Sequence, residues 1–327
     1  VEFQIVISFL VSIVITITAI PVIINISKLK DLMAEIEIRS SHDELTPTLG
    51  GVAIFAATLI SYFLWKIPSE GNEIHLAVSS LIILFFLGIK DDILILSPKK
   101  KILIQIAASL LLITLGDLRI TNLYGLLGYN SISYLPGVIL TTFIFIVLTN
   151  AVNLIDGIDG LAGSLAAYVL AILSVLFTLN NNYNEAIISI TLLGAVLGFL
   201  KFNWAPARFF MGDTGSLILG FSLATLCIVF IKDIAISNKI SNIISGTGGA
   251  TLLTLALLII PIFDTFRVFT VRILNGGSPF HADRNHLHHK LLDANFSHKK
   301  IAYLGAKLYR LLEVYLLSCV PSLRGAQ

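Results

Sequence analysis

Four clusters of acidic, amide, imidazole and guanidinium side chains interrupt an otherwise apolar chain, and each is of a type that handles phosphate or a divalent cation. Asp91 and Asp92 stand side by side after Lys90 at the end of one apolar run. Adjacent carboxylates repel each other and are costly to desolvate at a membrane boundary unless a metal ion or a basic partner is near. A solvated helix cap beside Lys90 and the run Lys99–Lys101 is the plainer reading of the same residues.

The second cluster is NLIDGIDGLAG, residues 153–163. Helical spacing puts Asn153 and Asp156 on one face shared with Asp159, and Gly157 and Gly160 let a ligand approach the backbone. An Asx-type turn closing a span is the structural alternative. The third is MGDTGS, where Gly212 and Gly215 flank Asp213 and the Thr214 and Ser216 hydroxyls can cap the apolar helix that follows. Such an N-terminus would offer N–H groups and a positive dipole end to phosphate oxygens; a simple cap is the bland reading. The fourth holds His281, Asp283, Arg284, His286, His288 and His289 in a chain with only 7 His. It reads as a zinc tract, as a solvated loop, or, with Arg267, Arg272 and Arg284, as a cationic pocket for a pyrophosphate.

Together, carboxylates for a hard cation, Arg and His for phosphate oxygens and glycines for close approach are the parts that phosphoryl transfer requires. Neither a GxxxxGK[ST] loop nor a protein-kinase motif set is present, so ATP-driven chemistry has no support.

The elements that must position these residues are membrane helices. Of 327 residues, 56% are hydrophobic and 13% charged, and the mean hydropathy is +0.91, a bilayer composition. Apolar runs near 3–27, 49–65, 75–89, 102–116, 136–152, 161–179, 186–200, 214–231 and 250–271 give an all-α polytopic bundle of nine spans. The first run is too long for a signal-peptide core and reads as a retained span. Residues 1–300 form one catalytic membrane domain with loops near 28–48, 90–101, 153–160, 201–216 and 272–300. Residues 301–327 are an amphipathic tail or a tenth span, with Ile301, Leu304, Leu308, Leu311 and Tyr315 at three- and four-residue intervals.

Strict alternation puts fifteen Lys and Arg on the side of those loops and four (Lys66, Arg119, Lys232 and Lys239) on the other, so the loops are expected in the cytoplasm and the N-terminus outside. All four polar clusters fall on that same side, at the bilayer surface, which implies one lipidic substrate. A net charge of +2 argues against a nucleic-acid partner, and Cys227 and Cys319 alone provide neither a disulfide framework nor a zinc site.

At these residues the chain resembles the polyprenyl-phosphate N-acetylhexosamine-1-phosphate transferases. TPTLGG (46–51), KDD (90–92), NLIDGIDGLAG (153–163), MGDTGSLILG (211–220), PIFDTFRVFTVR (261–272) and SPFHADRNHLHHKLL (278–292) match that family's blocks in order. The last block resembles the enzymes that start O-antigen, enterobacterial common antigen or teichoic-acid linkage units more than the peptidoglycan translocase, whose block reads PIHHHFE. The resemblance implies an inner-membrane enzyme in which undecaprenyl phosphate attacks the β-phosphorus of a UDP-N-acetylhexosamine, UDP-GlcNAc foremost, releasing UMP. It further implies Mg²⁺, or Mn²⁺, on Asp213; Asp92 holding the metal or its waters; and Asp91 as base or lipid-phosphate orienter. Asn153, Asp156 and Asp159 would serve the nucleotide sugar or support the metal, and Arg284, His286, His288 and His289 would meet the diphosphate or sugar, with Arg267 beside them. A homodimer is left open. The alternative from another class is a transporter, which would place its ionisable groups near the bilayer midplane, often in two related halves.

Overall fold

A computed structural model describes the chain except for residues 31–45, 69–72, 95, 124–130, 237–238, 241–245, 275–290, 292–295, 297, 299, 302, 305–306 and 308–327. Ten α-helices are delimited among the described residues: α1 (Glu2–Leu29), α2 (Gly50–Trp65), α3 (Glu73–Leu94), α4 (Pro98–Leu115), α5 (Tyr134–Ile155), α6 (Leu161–Leu179), α7 (Tyr183–Asn203), α8 (Gly212–Ile236), α9 (Gly246–Leu257) and α10 (Ile259–Leu274). Apolar runs of this length form helices because only the helix satisfies every backbone group within its own segment when no water is at hand. Hydroxyls inside the runs are satisfied in the same way: Thr16, Thr58 and Thr225 donate to the carbonyls of Ser12, Ile54 and Phe221 one turn back.

The nine expected apolar runs each contain a helix or a broken pair, but among the described residues length and composition alone identify fewer crossings than the nine expected. Six helices, α1, α3, α5, α6, α7 and α8, are individually long and apolar enough to cross a membrane, and α9 with α10 makes a seventh if that pair, bent by 64°, is one span. Helix α2 has 16 residues, short of the roughly 20 a bilayer needs, and α4 begins with three lysines. The α9–α10 break has a local cause. Pro261 has no N–H to give the Leu257 carbonyl, and the chain turns at Leu258.

Helix direction alternates. Side-chain and backbone bonds gather the N-terminal ends of α2, α4, α6 and α8 with the C-terminal ends of α3, α5 and α7 at one end of the bundle. At the other end Asn184 of α7 bonds both backbone groups of Ile67 just beyond α2, Asn182 bonds Asp233 of α8, and Thr141 of α5 bonds Ile120 beyond α4.

Helix α8 is the axis. In its most apolar window 94% of residues are buried, against 22% in α1, and it packs on α2, α3, α5, α6 and α9. Two glycines set how closely its first turn is approached. A Cβ on Gly51 of α2 would lie 2.1 Å from the Gly215 nitrogen, and one on Gly88 of α3 would lie 2.3 Å from Thr214 Cα. Both clashes are with backbone, which cannot rotate away, so the helices would have to separate.

Gly88→Ala should therefore lower the melting temperature in detergent, by the equivalent of about 1–3 kcal/mol of overpacking. Gly248→Ala in α9, where an added Cβ meets nothing within 4 Å, should leave it unchanged or raise it. A Gly88→Ala protein as stable as the parent would refute the close α3–α8 contact.

Candidate active site

The common end of α3, α4, α5 and α8 carries a compact polar network. Asp92, on the last turn of α3, caps α8 from outside: Oδ1 accepts the Asp213 N–H at 2.7 Å, while Oδ2 accepts the Thr214 N–H at 3.1 Å and the Thr214 hydroxyl at 2.6 Å. These are orphan donors at the positive end of α8, which a carboxylate satisfies best. The expectation that this N-terminus offers its first N–H groups to phosphate is thus not met at Asp213 and Thr214, whose N–H groups already serve Asp92. Gly212 fits this crossing twice over. Its φ is +71°, and a Cβ there would lie 2.2 Å from the Thr48 carbonyl and 2.7 Å from the Asp92 carboxylate. The TPTLGG segment supports the same corner through backbone bonds from Phe210 to Pro47 and from Gly50 and Gly51 to Phe210 and Met211.

Asp91, 4% exposed, points the other way. Its Oδ1 accepts the Leu96 N–H at 2.6 Å, and its Oδ2 pairs with the ammonium of Lys101 from α4. The same ammonium lies 2.8 Å from Asp213 Oδ2. Asn153, near the end of α5, donates to Asp213 Oδ1 at 2.7 Å and to the Ser216 hydroxyl at 2.8 Å, and Ser216 donates back to the Gly212 carbonyl at 3.0 Å. Asp91 and Asp213, 122 residues apart, so share one cation.

The helical register expected through Asn153, Asp156 and Asp159 holds only to Asn153. Helix α5 ends at Ile155, Asp156 is its C-cap, and Asp159 lies in the turn before α6, because Gly160 takes the left-handed conformation at φ +72°. Asp156 nonetheless faces the site. Burial first, then the charges of Asp213, Asp92 and Asp159, push its carboxyl well above the ordinary aspartate range. Asp159, 4% exposed, is a tie: its Oδ2 accepts the Ala207 N–H at 2.9 Å, and its own N–H donates to His298 Nδ1 at 3.3 Å. Asn203 completes that pole, accepting the Gly160 N–H and donating to the Phe209 carbonyl, both at 2.9 Å. Ile301, 3% exposed, docks beside it on Ile155, Ile158 and Leu161, whereas Leu304 of the expected amphipathic face is 38% exposed.

Arg267 bonds Asp264 one turn back on α10 at 2.9 Å, and Arg272 is buried at the end of that helix. Arg284, His286, His288 and His289 lie outside the described residues. Sequence reasoning missed Lys101, Asn203 and His298 as members of the site. Lys101 had a signal, since three lysines in the first turn of a helix oppose its dipole; Asn203 and His298 had none.

Asp91 and Asp213 supply hard oxygen donors, the chemistry that suits Mg²⁺ or Mn²⁺, and the Asn153 amide, which presents its N–H groups to Asp213 and Ser216, would join them by turning its oxygen inward. Among the described residues no three His, Cys, Asp or Glu close on one point. A one- or two-carboxylate site completed by water and substrate phosphate is the usual arrangement for Mg²⁺, so the residues present fit the ion. Between α5, α8, α9 and α10 lies an open, mostly apolar cavity of about 540 Å³ that runs from Leu148, Leu258 and Ile262 to Asp117, Arg119 and Lys232 toward the opposite end of the bundle.

The family model of glycosyl transferase family 4 matches residues 74–231. The chain is 30% identical to a probable undecaprenyl-phosphate N-acetylglucosaminyl 1-phosphate transferase of Bacillus subtilis, over 96% of this chain and 86% of that protein. It is 29% identical to a decaprenyl-phosphate N-acetylglucosaminephosphotransferase of Mycobacterium leprae, over 81% and 71%. To an undecaprenyl-phosphate alpha-N-acetylglucosaminyl 1-phosphate transferase of Escherichia coli K12 it is 26% identical, over 84% and 73%.

The raised Asp156 carboxyl has a consequence for stability. A carboxyl that titrates higher folded than unfolded costs nothing below the ordinary value near 3.8; the cost grows as pH rises past it and levels off above the folded value. Asp156→Asn should therefore raise the melting temperature of metal-free protein more at pH 7 than at pH 4. Equal shifts at the two pH values would show that the Asp156 charge carries no penalty.

Proposed function

This chain belongs to glycosyl transferase family 4, and on that premise we propose that it moves N-acetylglucosamine-1-phosphate from UDP-GlcNAc to undecaprenyl phosphate as the first membrane step of a cell-surface glycan. The observation that carries the reading is the Asp91–Lys101–Asp213–Asn153 network, a charged constellation at the shared end of apolar helices. A transporter is not favoured, because the acids of the polar network lie at helix ends and Asp264, inside α10, is paired with Arg267 one turn on, rather than forming a midplane path.

An oxygen of the lipid phosphate attacks the β-phosphorus, the new P–O bond forms, and the bond from the β-phosphorus to the bridging oxygen breaks. UMP leaves with that electron pair. The lipid phosphate is already an anion at neutral pH, so no base has to create the nucleophile, and Asp91 acts by charge and position. Mg²⁺, held by Asp213 with Asn153 and Asp91 beside it, would neutralise charge on the diphosphate oxygens when bound. Asp92 fixes the first turn of α8 and thereby the position of Asp213. Asp156, whose charged form burial and its acidic neighbours disfavour, is assigned to support of the metal or the nucleotide sugar, and Asp159 and Asn203 hold the surrounding loops. Arg284, His286, His288 and His289 are assigned to the diphosphate or sugar, with Arg267 a further candidate, and the cavity between α5 and α10 suits part of a polyprenyl chain.

We place the site on the cytoplasmic face of the inner membrane, with nine crossings and α9–α10 as one bent crossing. The basic-residue bias supports this orientation, as does the contact of His298 with Asp159, which returns the chain after α10 to the same end.

Purified protein with undecaprenyl phosphate, Mg²⁺ and a panel of UDP-sugars should release UMP, with UDP-GlcNAc preferred. Asp213→Asn should abolish turnover at unchanged folding; near-normal activity at low Mg²⁺ would move the metal to another acid. For orientation, Ser97→Cys should resist an impermeant thiol reagent on intact cells while Asn181→Cys, on the opposite end, reacts. The reverse pattern would invert the topology.

A further inference from the structure

By the rules of its own helix, Lys101 is misplaced. It sits in the first turn of α4, at the positive end of the helix dipole, behind Lys99 and Lys100 and with no acid in that turn. Lys99 and Lys100 are exposed, but Lys101 turns inward and ends between two acids from other helices, 2.8 Å from Asp213 Oδ2 and paired with Asp91 Oδ2. The Asp91 side chain is 2% exposed and that of Lys101 25%, so the acid is fixed and the ammonium enters from the open side. Apart from this ammonium, Asp91 Oδ2 is buried with no hydrogen-bond donor.

We propose that Lys101 is a resident counter-ion, occupying the cation position between Asp91 and Asp213 and excluded from it by a divalent ion, so that ammonium and metal compete for the same carboxylates. This rests on the metal-assisted reading of the site. Two facing carboxylates at an apolar boundary need a cation to remain ionised, and Lys101 supplies one positive charge on a flexible stem. The two cations repel and share oxygens, so they do not occupy the pair together.

Competition has a thermodynamic consequence. An ammonium expelled from two carboxylates loses its partners unless another anion is present, and a diphosphate supplies one. Metal and nucleotide are then positively coupled, each tightening the other by the same factor. Lys101 offsets one of the two negative charges until a divalent ion arrives, at the cost of weak metal binding without substrate.

The test measures Mn²⁺ bound to the purified full chain by electron paramagnetic resonance, with and without UDP, after subtracting Mn²⁺ held by UDP in solution. The parent should bind Mn²⁺ weakly alone and about tenfold or more tightly with UDP, a typical coupling. Lys101→Met should bind Mn²⁺ about tenfold more tightly than the parent without UDP and lose most of the UDP effect; Lys101→Arg and Lys100→Met should behave like the parent. Should Lys101→Met not fold, Asp91→Asn against Asp91→Asn/Lys101→Met makes the same comparison with one fewer negative charge. Unchanged or weaker Mn²⁺ binding on removing Lys101 would overturn the proposal while leaving the metal reading intact. No Mn²⁺ binding by any form, with or without UDP, would overturn both.

Discussion

Carboxylates held at the rim of an apolar helical bundle have to be compensated by other parts of the chain, and most of this structure follows from how that is done. Asp213 opens α8, the most buried helix, and could not sit there as an isolated charge. Lys101 and Asn153 reach it from α4 and α5, while Asp92 takes the N–H groups of Asp213 and Thr214. The compensation requires α3 to lie against α8 almost backbone to backbone, which Gly88 permits. Packing and chemistry are therefore one constraint here. Any side chain that pushes α3 away also removes the cap from α8 and shifts Asp91 and Asp213 relative to each other.

The adjacent carboxylates Asp91 and Asp92 show how neighbouring residues of the same type can take opposite tasks. On a helix, consecutive side chains point about 100° apart, so Asp92 turns to the N-terminus of α8 while Asp91 turns to Lys101. One is spent on hydrogen bonds to backbone, and the other faces Asp213. The buried Asp159 likewise holds its own neighbourhood together, joining the α5–α6 turn to Ala207 and to His298. Asn203 repeats that pattern one residue along, at Gly160.

The break at Leu258 swings α10 by 64° from α9, and the mostly apolar cavity lies beside that bend. It includes Leu148 of α5, five residues before Asn153, so one helix connects an apolar lining to the charged network. A reaction between a lipid phosphate and a water-soluble sugar nucleotide calls for such a neighbourhood of dry and wet surfaces.

Much of this was legible in the sequence. Runs of apolar residues define helices wherever they occur, because a backbone without water has to bond to itself. Clusters such as Asp91–Asp92, Asn153–Asp159 and Asp213 stood out because charge is expensive in an apolar run. The number of membrane crossings was less legible, since α2 is short and α9–α10 is broken by a proline whose effect depends on its neighbours. The helix through Asp159 was misread, because Gly160 could extend a helix or end it, and contact with Trp204 and Asn203 favours the turn. Which of Lys99, Lys100 and Lys101 turns inward, and which of two neighbouring acids caps a helix 120 residues away, only the tertiary structure decided. Those outcomes depend on distances between helices that no local pattern encodes.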